Sequence, residues 1–246
     1  MTDKIDFEKI AQAAVEKIQK EFKTGMPAIE KSIVHEAKKR FEEAYVPQQK
    51  SYSLTTDHIS EPAKQDHEKL YKNYVEKLER VSIEVDSADR TAADANHSDF
   101  RSCKRDEIFN MNAVYLHELF FANCFYPNSE LYQESLSYIR ISSDWGNFDS
   151  WMSEFMACAA SARNGWVVLG YSLYLKKMIN VFIDGHDGNV PFGIIPVIVI
   201  DMWEHAYVRD YGTDKKAYLS AMMGEINWEV VEERVKRLDQ AKRVLP

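Results

Sequence analysis

The 246-residue chain lacks the features that mark nucleic-acid-binding and disulfide-stabilised proteins. It contains no basic stretch and its formal net charge is -8, so neither nucleic acid nor an anionic membrane is expected as its main partner. Its three cysteines show no CxxC spacing, which favours a reducing compartment over a disulfide framework.

Long apolar runs are also missing. No run approaches the roughly 20 residues that span a bilayer. The first residues, MTDKIDFEKIAQ, lack the apolar core of a secretory signal, and their acidic side chains are unlike those of a mitochondrial targeting segment. These absences predict a protein of the cytoplasm. The content of 45% hydrophobic and 12% aromatic residues is sufficient for a large folded core.

The beginning of the chain differs from the rest. Apolar residues at helical spacing fill residues 5–22 and 29–45, on either side of a Gly-Met-Pro break. We predict a helical hairpin there, followed by a polar linker at 47–50. The hairpin is expected to pack against a partner or a second subunit. We therefore separate a helical extension and linker, 1–50, from the main body.

The main body should be helical first and contain a sheet later. A polar helix carries Tyr71 and Tyr74 on one side, and a polar stretch at 86–106 predicts a loop or a short helix. Residues 109–125 are so densely apolar that their helix should be buried nearly all round. We assign these elements to a helical domain at 51–135.

The following domain, 136–246, combines helix and strand. Residues 148–162 fit a helix, and three short β-branched and apolar runs then predict three strands. These strands are 166–169, 181–183 and 194–200. The third ends at Asp201, where the pattern becomes helical again. The expected fold class is α+β.

Three residues could carry chemistry. Asp201 and His205 stand four apart where a strand gives way to a helix, which allows both side chains to face one centre. A helix-capping aspartate beside a tolerated histidine explains the same spacing. His117, in the middle of an apolar helix, needs its ring nitrogens satisfied by hydrogen bonds or by a metal. One carboxylate and two or three imidazoles form a set that suits iron, manganese or zinc.

The segment DMWEHAY at 201–207 resembles the DxWEHAY signature of iron/manganese superoxide dismutases. The resemblance extends from about residue 52 to 238, and residues 1–50 have no counterpart. Four further segments are similar to the family in order and spacing: Phe109-Asn110 with His117 and Leu119-Phe120-Phe121, Asp144-Trp145-Gly146, Asn164-Gly165-Trp166, and Ile226-Asn227-Trp228.

The resemblance implies a fold, an activity and a ligand set. The fold would be a helical domain followed by a three-stranded antiparallel sheet with flanking helices. The activity would be superoxide dismutation at one iron ion per subunit, with manganese as the alternative. The implied metal ligands are His67, His117, Asp201 and His205.

Further residues are assigned roles by the same resemblance. Tyr74 and His186 would be catalytic, with His186 hydrogen-bonded to the solvent ligand. Phe121, Trp166 and Trp203 would restrict access to small species. The protein would be a homodimer or higher homo-oligomer, in which Glu204 reaches a ligand histidine of the other subunit.

The first ligand has two candidates. Nine residues after the family-like run His58-Ile59-Ser60 stands His67, whereas eight residues before Tyr74 stands Asp66. In an α-helix at about 100° per residue, the seven steps from His67 to Tyr74 end about 20° short of two turns, whereas Asp66 is about 80° off. We therefore favour His67 and the loss of a π-bulge. Leu70 or Tyr71 replaces the histidine that family members place between the two.

Two other functions compete with dismutation. One is a superoxide dismutase-like domain used as a structural or assembly subunit, with the 1–50 hairpin as its docking arm. The other is a mononuclear hydrolase or oxygenase built on two histidines and a carboxylate. The second would leave one of His67, His117 and His205 without a metal.

Overall fold

The structure is a computed structural model that describes residues 55–124 and 129–241. The hairpin and linker predicted at 1–50 lie outside the described residues. The domain boundaries placed at 50 and 135 stay predictions. The helix-then-sheet order of the α+β fold is confirmed.

Two long helices, α1 (Glu61–Ser87) and α2 (Asp99–Asn123), come first among the described residues and pack against each other. The stretch predicted as a loop or short helix at 86–106 divides between a loop at 88–98 and the first two turns of α2. Ser98 sets this start, because its side chain accepts a hydrogen bond from a backbone N–H of the first turn.

The apolar part of α2 is buried nearly all round, as its composition predicts. From residue 109 to 124 every side chain is buried or partly buried except Tyr115, which is 50% exposed. The sheet packs on this helix, as does α1. His117 therefore lies in the interior, between the two halves of the fold.

Two shorter helices, α3 (Leu136–Trp145) and α4 (Phe148–Ser161), lead to the sheet. Gly146 separates them with φ of 84°, in the left-handed region that glycine adopts without strain, and so ends α3. Trp151 and Phe155 on α4 are fully buried, which places this helix against the core.

The sheet is three-stranded and antiparallel, as expected, with the order β2-β1-β3. Its strands are β1 (Gly165–Ser172), β2 (Lys177–Asp184) and β3 (Ile194–Asp201). The central strand β1 is buried at every position. Its first residue, Gly165, must be glycine because a Cβ there would lie 1.8 Å from the carbonyl oxygen of Ile183, much closer than van der Waals contact.

Three helices follow the sheet within the described residues: α5 (Glu204–Tyr211), α6 (Lys215–Gly224) and α7 (Trp228–Ala241). α5 packs on α1, and α7 packs on β3 and α2. Within the described residues, every helix is too short or too polar to cross a membrane.

Candidate metal centre

Four side chains predicted from the sequence as metal ligands converge at the centre of the fold: His67, His117, Asp201 and His205. Their potential ligand atoms all lie within 4.8 Å of one another. His67 comes from α1, His117 from α2, Asp201 from the last position of β3 and His205 from the first turn of α5. Three are buried, and the His205 side chain is 25% exposed.

Asp201 organises the cluster. Its Oδ1 accepts the backbone N–H of Trp203 at 2.8 Å, which directs Oδ2 at the imidazoles. The Nε2 atoms of His67 and His205 each lie 3.1 Å from that Oδ2. The Tyr218 hydroxyl donates to the Asp201 carbonyl oxygen at 2.8 Å and fixes the backbone behind it. The carboxylate is therefore held at one position from several sides.

His117 presents a free lone pair to the same point. Its Nδ1 lies 2.6 Å from the Ala113 carbonyl oxygen, so Nδ1 carries the proton and Nε2 the lone pair. Nε2 is buried, lies 3.8 Å from Asp201 Oδ2 and has no hydrogen-bond partner among the described residues. A bound cation would satisfy this otherwise costly buried nitrogen. The residues present thus fit a metal ion, and three imidazoles with one carboxylate suit iron or manganese.

The electrostatics favour the ligating protonation states of His67, His117 and Asp201. Burial lowers the pKa of His67 and places the pKa of His117 well below its usual value. Burial alone would raise the pKa of Asp201, but the charge of His205 and the hydrogen bonds from His205 and His67 outweigh it and lower that pKa. Neutral imidazoles and an ionised carboxylate are the forms that bind metals.

Comparison with known proteins agrees with this geometry. Residues 134–234 match the family described as iron/manganese superoxide dismutases, C-terminal domain. An iron superoxide dismutase of Aquifex aeolicus is 35% identical over 178 residues, which cover 71% of this chain and 83% of that protein. A manganese superoxide dismutase of Haloarcula marismortui is 32% identical over 187 residues, which cover 76% of this chain and 90% of that protein. The chain belongs to the iron/manganese superoxide dismutase family.

A hydrogen-bonded triad of Trp166, His186 and Tyr74 lies beside the cluster in this member of the iron/manganese superoxide dismutase family. The Trp166 indole N–H donates to His186 Nδ1 at 3.0 Å. Since Nδ1 accepts, neutral His186 bears its proton on Nε2, which lies 3.0 Å from the Tyr74 hydroxyl and donates to it. The structure thus links His186 and Tyr74, the two residues predicted to be catalytic.

Burial determines the charge of this triad. It lowers the pKa of His186 to about 4, so His186 is neutral at neutral pH. It also raises the pKa of Tyr74, with a further contribution from the negative charge of Asp201. His186 is therefore a buried side chain and not merely a residue of the turn that connects β2 and β3.

Aromatic rings enclose the cluster, as the resemblance implies. Phe121 lies 5.1 Å from His67 and Trp166 lies 4.9 Å from His117, measured between ring centroids. Trp203 stacks on His205 at 5.8 Å. Sequence reasoning gave no role to the ring of Phe109, which lies 4.7 Å from that of His186. Its family-like Phe-Asn pair is the signal that could have indicated this.

The structure separates the two candidates for the first ligand. His67 lies in the cluster, whereas the Asp66 carboxylate accepts a hydrogen bond from Arg209 at 2.6 Å on the outside of the protein. The side chains of Asp66 and Arg209 are 61% and 53% exposed. α1 is regular α-helix throughout, so adjacent residues face about 100° apart, which places only one of the two inside.

Proposed function

We propose that this family member is a superoxide dismutase that converts superoxide to dioxygen and hydrogen peroxide. Its centre would be one iron or manganese ion held by His67, His117, Asp201 and His205. The observation that carries the proposal is the buried Nε2 of His117, which faces the carboxylate and imidazoles of that cluster and has no hydrogen-bond partner in the part of the chain that the structure describes. A bound iron or manganese ion would supply the one-electron oxidation and reduction that the two half-reactions need.

The residues around the cluster would manage protons and access. Hydrogen peroxide formation consumes two protons, and Tyr74 retains its phenolic proton because its pKa is raised. His186 holds the Tyr74 oxygen in place, and Trp166 holds His186. We propose that Tyr74 donates a proton during reduction of superoxide. The aromatic rings around the ligands exclude bulk water and larger substrates.

We propose iron as the native metal, with manganese as the alternative. Relatives named for each metal align with most of the chain. The histidine at position 186 resembles iron-using and dual-metal members more than the glutamine typical of manganese enzymes. A cytoplasmic location, where thiols stay reduced, suits the free cysteines Cys103, Cys124 and Cys158.

We also propose a homodimer with Glu204 at its interface. Glu204 is an exposed carboxylate directly before the ligand candidate His205. An exposed carboxylate at this position is available to a partner subunit without disturbing the fold of its own chain. The 1–50 extension is proposed to dock a partner.

The structural-subunit alternative keeps one supporting observation: the relatives named above align with 71% and 76% of the chain, which leaves additional residues for another purpose. The hydrolase or oxygenase alternative is less well supported, since it needs only two of the three histidines and all three lie within 4.8 Å of the other ligand atoms.

Superoxide decay in the presence of the purified full chain tests the proposal. The iron-loaded protein, the manganese-loaded protein and the metal-free protein should be compared at equal concentration. We expect at least one loaded form to accelerate decay catalytically and the metal-free form not to. Loaded protein that leaves the decay rate unchanged would favour the structural-subunit alternative.

A further inference from the structure

We propose that a hydrogen bond between Tyr71 and Glu118 positions the metal centre by joining the two helices that supply His67 and His117. The Tyr71 hydroxyl donates to Glu118 Oε1 at 2.9 Å. This inference rests on the proposed function, because it takes the four clustered side chains as metal ligands.

The bond lies next to a ligand on each helix. Tyr71 follows His67 by four residues, one turn of α1, and therefore shares its face. Glu118 directly follows His117 on α2. The two partners are 47 residues apart in the chain, so their bond links α1 to α2 and not two turns of one helix. A change in the distance between these helices would therefore change the distance between the imidazoles of His67 and His117.

The Tyr71 ring lies near the ring of His117 and is connected to the ring of His67 through Phe121. The Tyr71 side chain is buried, with an exposed fraction of 3% for the residue. Its ring lies 5.7 Å from Phe121 in an edge-on arrangement, and Phe121 in turn lies 5.1 Å from His67. The Tyr71 ring is also 6.3 Å from that of His117. Because close-packed interiors transmit displacements, a shift of Tyr71 would reach both ligands.

A second bond beside a ligand offers a comparison. Arg209 donates to Asp66 at 2.6 Å and links α5 to α1 next to His67. Both of its side chains are more than half exposed, so solvent and salt screen it. The Tyr71 bond, with a buried phenol donating to a carboxylate, belongs to the stronger, charge-assisted class. Only the Tyr71–Glu118 bond, which is partly buried, should therefore affect the metal.

The test uses the full chain loaded with Mn²⁺ and follows transfer of Mn²⁺ to an excess of chelator. Tyr71→Phe, which removes only the hydroxyl, should release Mn²⁺ about 10-fold faster, at the lower end of losses typical for residues that support metal ligands. Glu118→Leu should behave alike, and Glu118→Gln, which retains an oxygen acceptor, should restore slow release. The matched control Asp66→Ala should release Mn²⁺ at the wild-type rate.

The electron paramagnetic resonance spectrum of bound Mn²⁺ separates positioning from a general loss of stability. We expect an altered spectrum in Tyr71→Phe and Glu118→Leu and an unaltered one in Asp66→Ala. Tyr71→Phe and Glu118→Leu with the wild-type spectrum and release rate would overturn the inference, and either variant suffices if the other does not fold. Wild-type protein that does not hold Mn²⁺ or iron would instead overturn the proposed function, and the inference with it.

Discussion

The most informative substitutions concern the neighbouring residues His67 and Asp66. His67→Ala removes a buried ligand candidate whose Nε2 lies 3.1 Å from Asp201 Oδ2. Without metal, the lost hydrogen bond to an ionised group should cost about 1.5–3 kcal/mol of unfolding free energy. With metal, loss of one of four ligands should abolish metal-dependent turnover. Asp66→Ala should leave most of that turnover.

The small expected effect of Asp66→Ala follows from its surroundings. The Asp66 carboxylate pairs with Arg209 at 2.6 Å, but the two side chains are 61% and 53% exposed. An exposed pair of this kind contributes about 0–1 kcal/mol. An aspartate in the cluster would also add a second negative ligand and favour the trivalent metal. Reduction of the metal by superoxide, the half-reaction that yields dioxygen, would then be impaired.

The assay combines metal content after incubation with a chelator, turnover of superoxide, and urea unfolding of the metal-free forms. His97→Ala, which removes an exposed histidine of the loop before α2, controls for loss of an imidazole elsewhere. If Asp66→Ala loses its metal while His67→Ala retains both metal and turnover, the alignment of α1 is wrong by one residue. The superoxide proposal would weaken with it.

Three further predictions follow from the same site. Glu204→Ala should weaken the proposed dimer and loosen the metal by roughly 10- to 100-fold; unchanged sedimentation and metal content would mean that Glu204 does not bridge subunits. In the metal-free protein, His186 alone should account for a loss of up to about 3 kcal/mol of unfolding free energy as pH falls from 6.5 towards 4, because burial lowers its pKa from 6.5 to about 4 and the unfolded chain takes up that proton first. Urea unfolding of His186→Gln should show a smaller loss of unfolding free energy over this pH range, and a loss equal to that of the wild type would contradict the lowered pKa of His186. Protein from its native source should contain stoichiometric iron, with manganese as the alternative; zinc alone or no metal would contradict this prediction.

Much of this fold could be predicted because its signals are local. The strand at 194–200 and its helical continuation are visible as a change of apolar period, and the segment 201–207 carries both Asp201 and His205. The phase of a regular helix was sufficient to favour His67 over Asp66. These inferences need only neighbouring residues and the geometry of one element.

The remainder depends on which elements meet in space. Sequence spacing does not reveal that Tyr71 reaches Glu118, 47 residues away, or that Tyr74 reaches His186, 112 residues away. The early start of α2 was also ambiguous, because its first two turns are polar and largely exposed and so resemble a loop in composition. Cross-element contacts and exposed helix ends carry little periodic signal.

The most direct test of the account is a titration of the metal-free full chain with iron, and separately with manganese, while superoxide removal is measured at each addition. Catalytic removal should rise with added metal and saturate at one ion per chain, because the described residues contain one such cluster, formed by His67, His117, Asp201 and His205. Binding of one ion per chain without any catalytic removal of superoxide, for both metals, would contradict it.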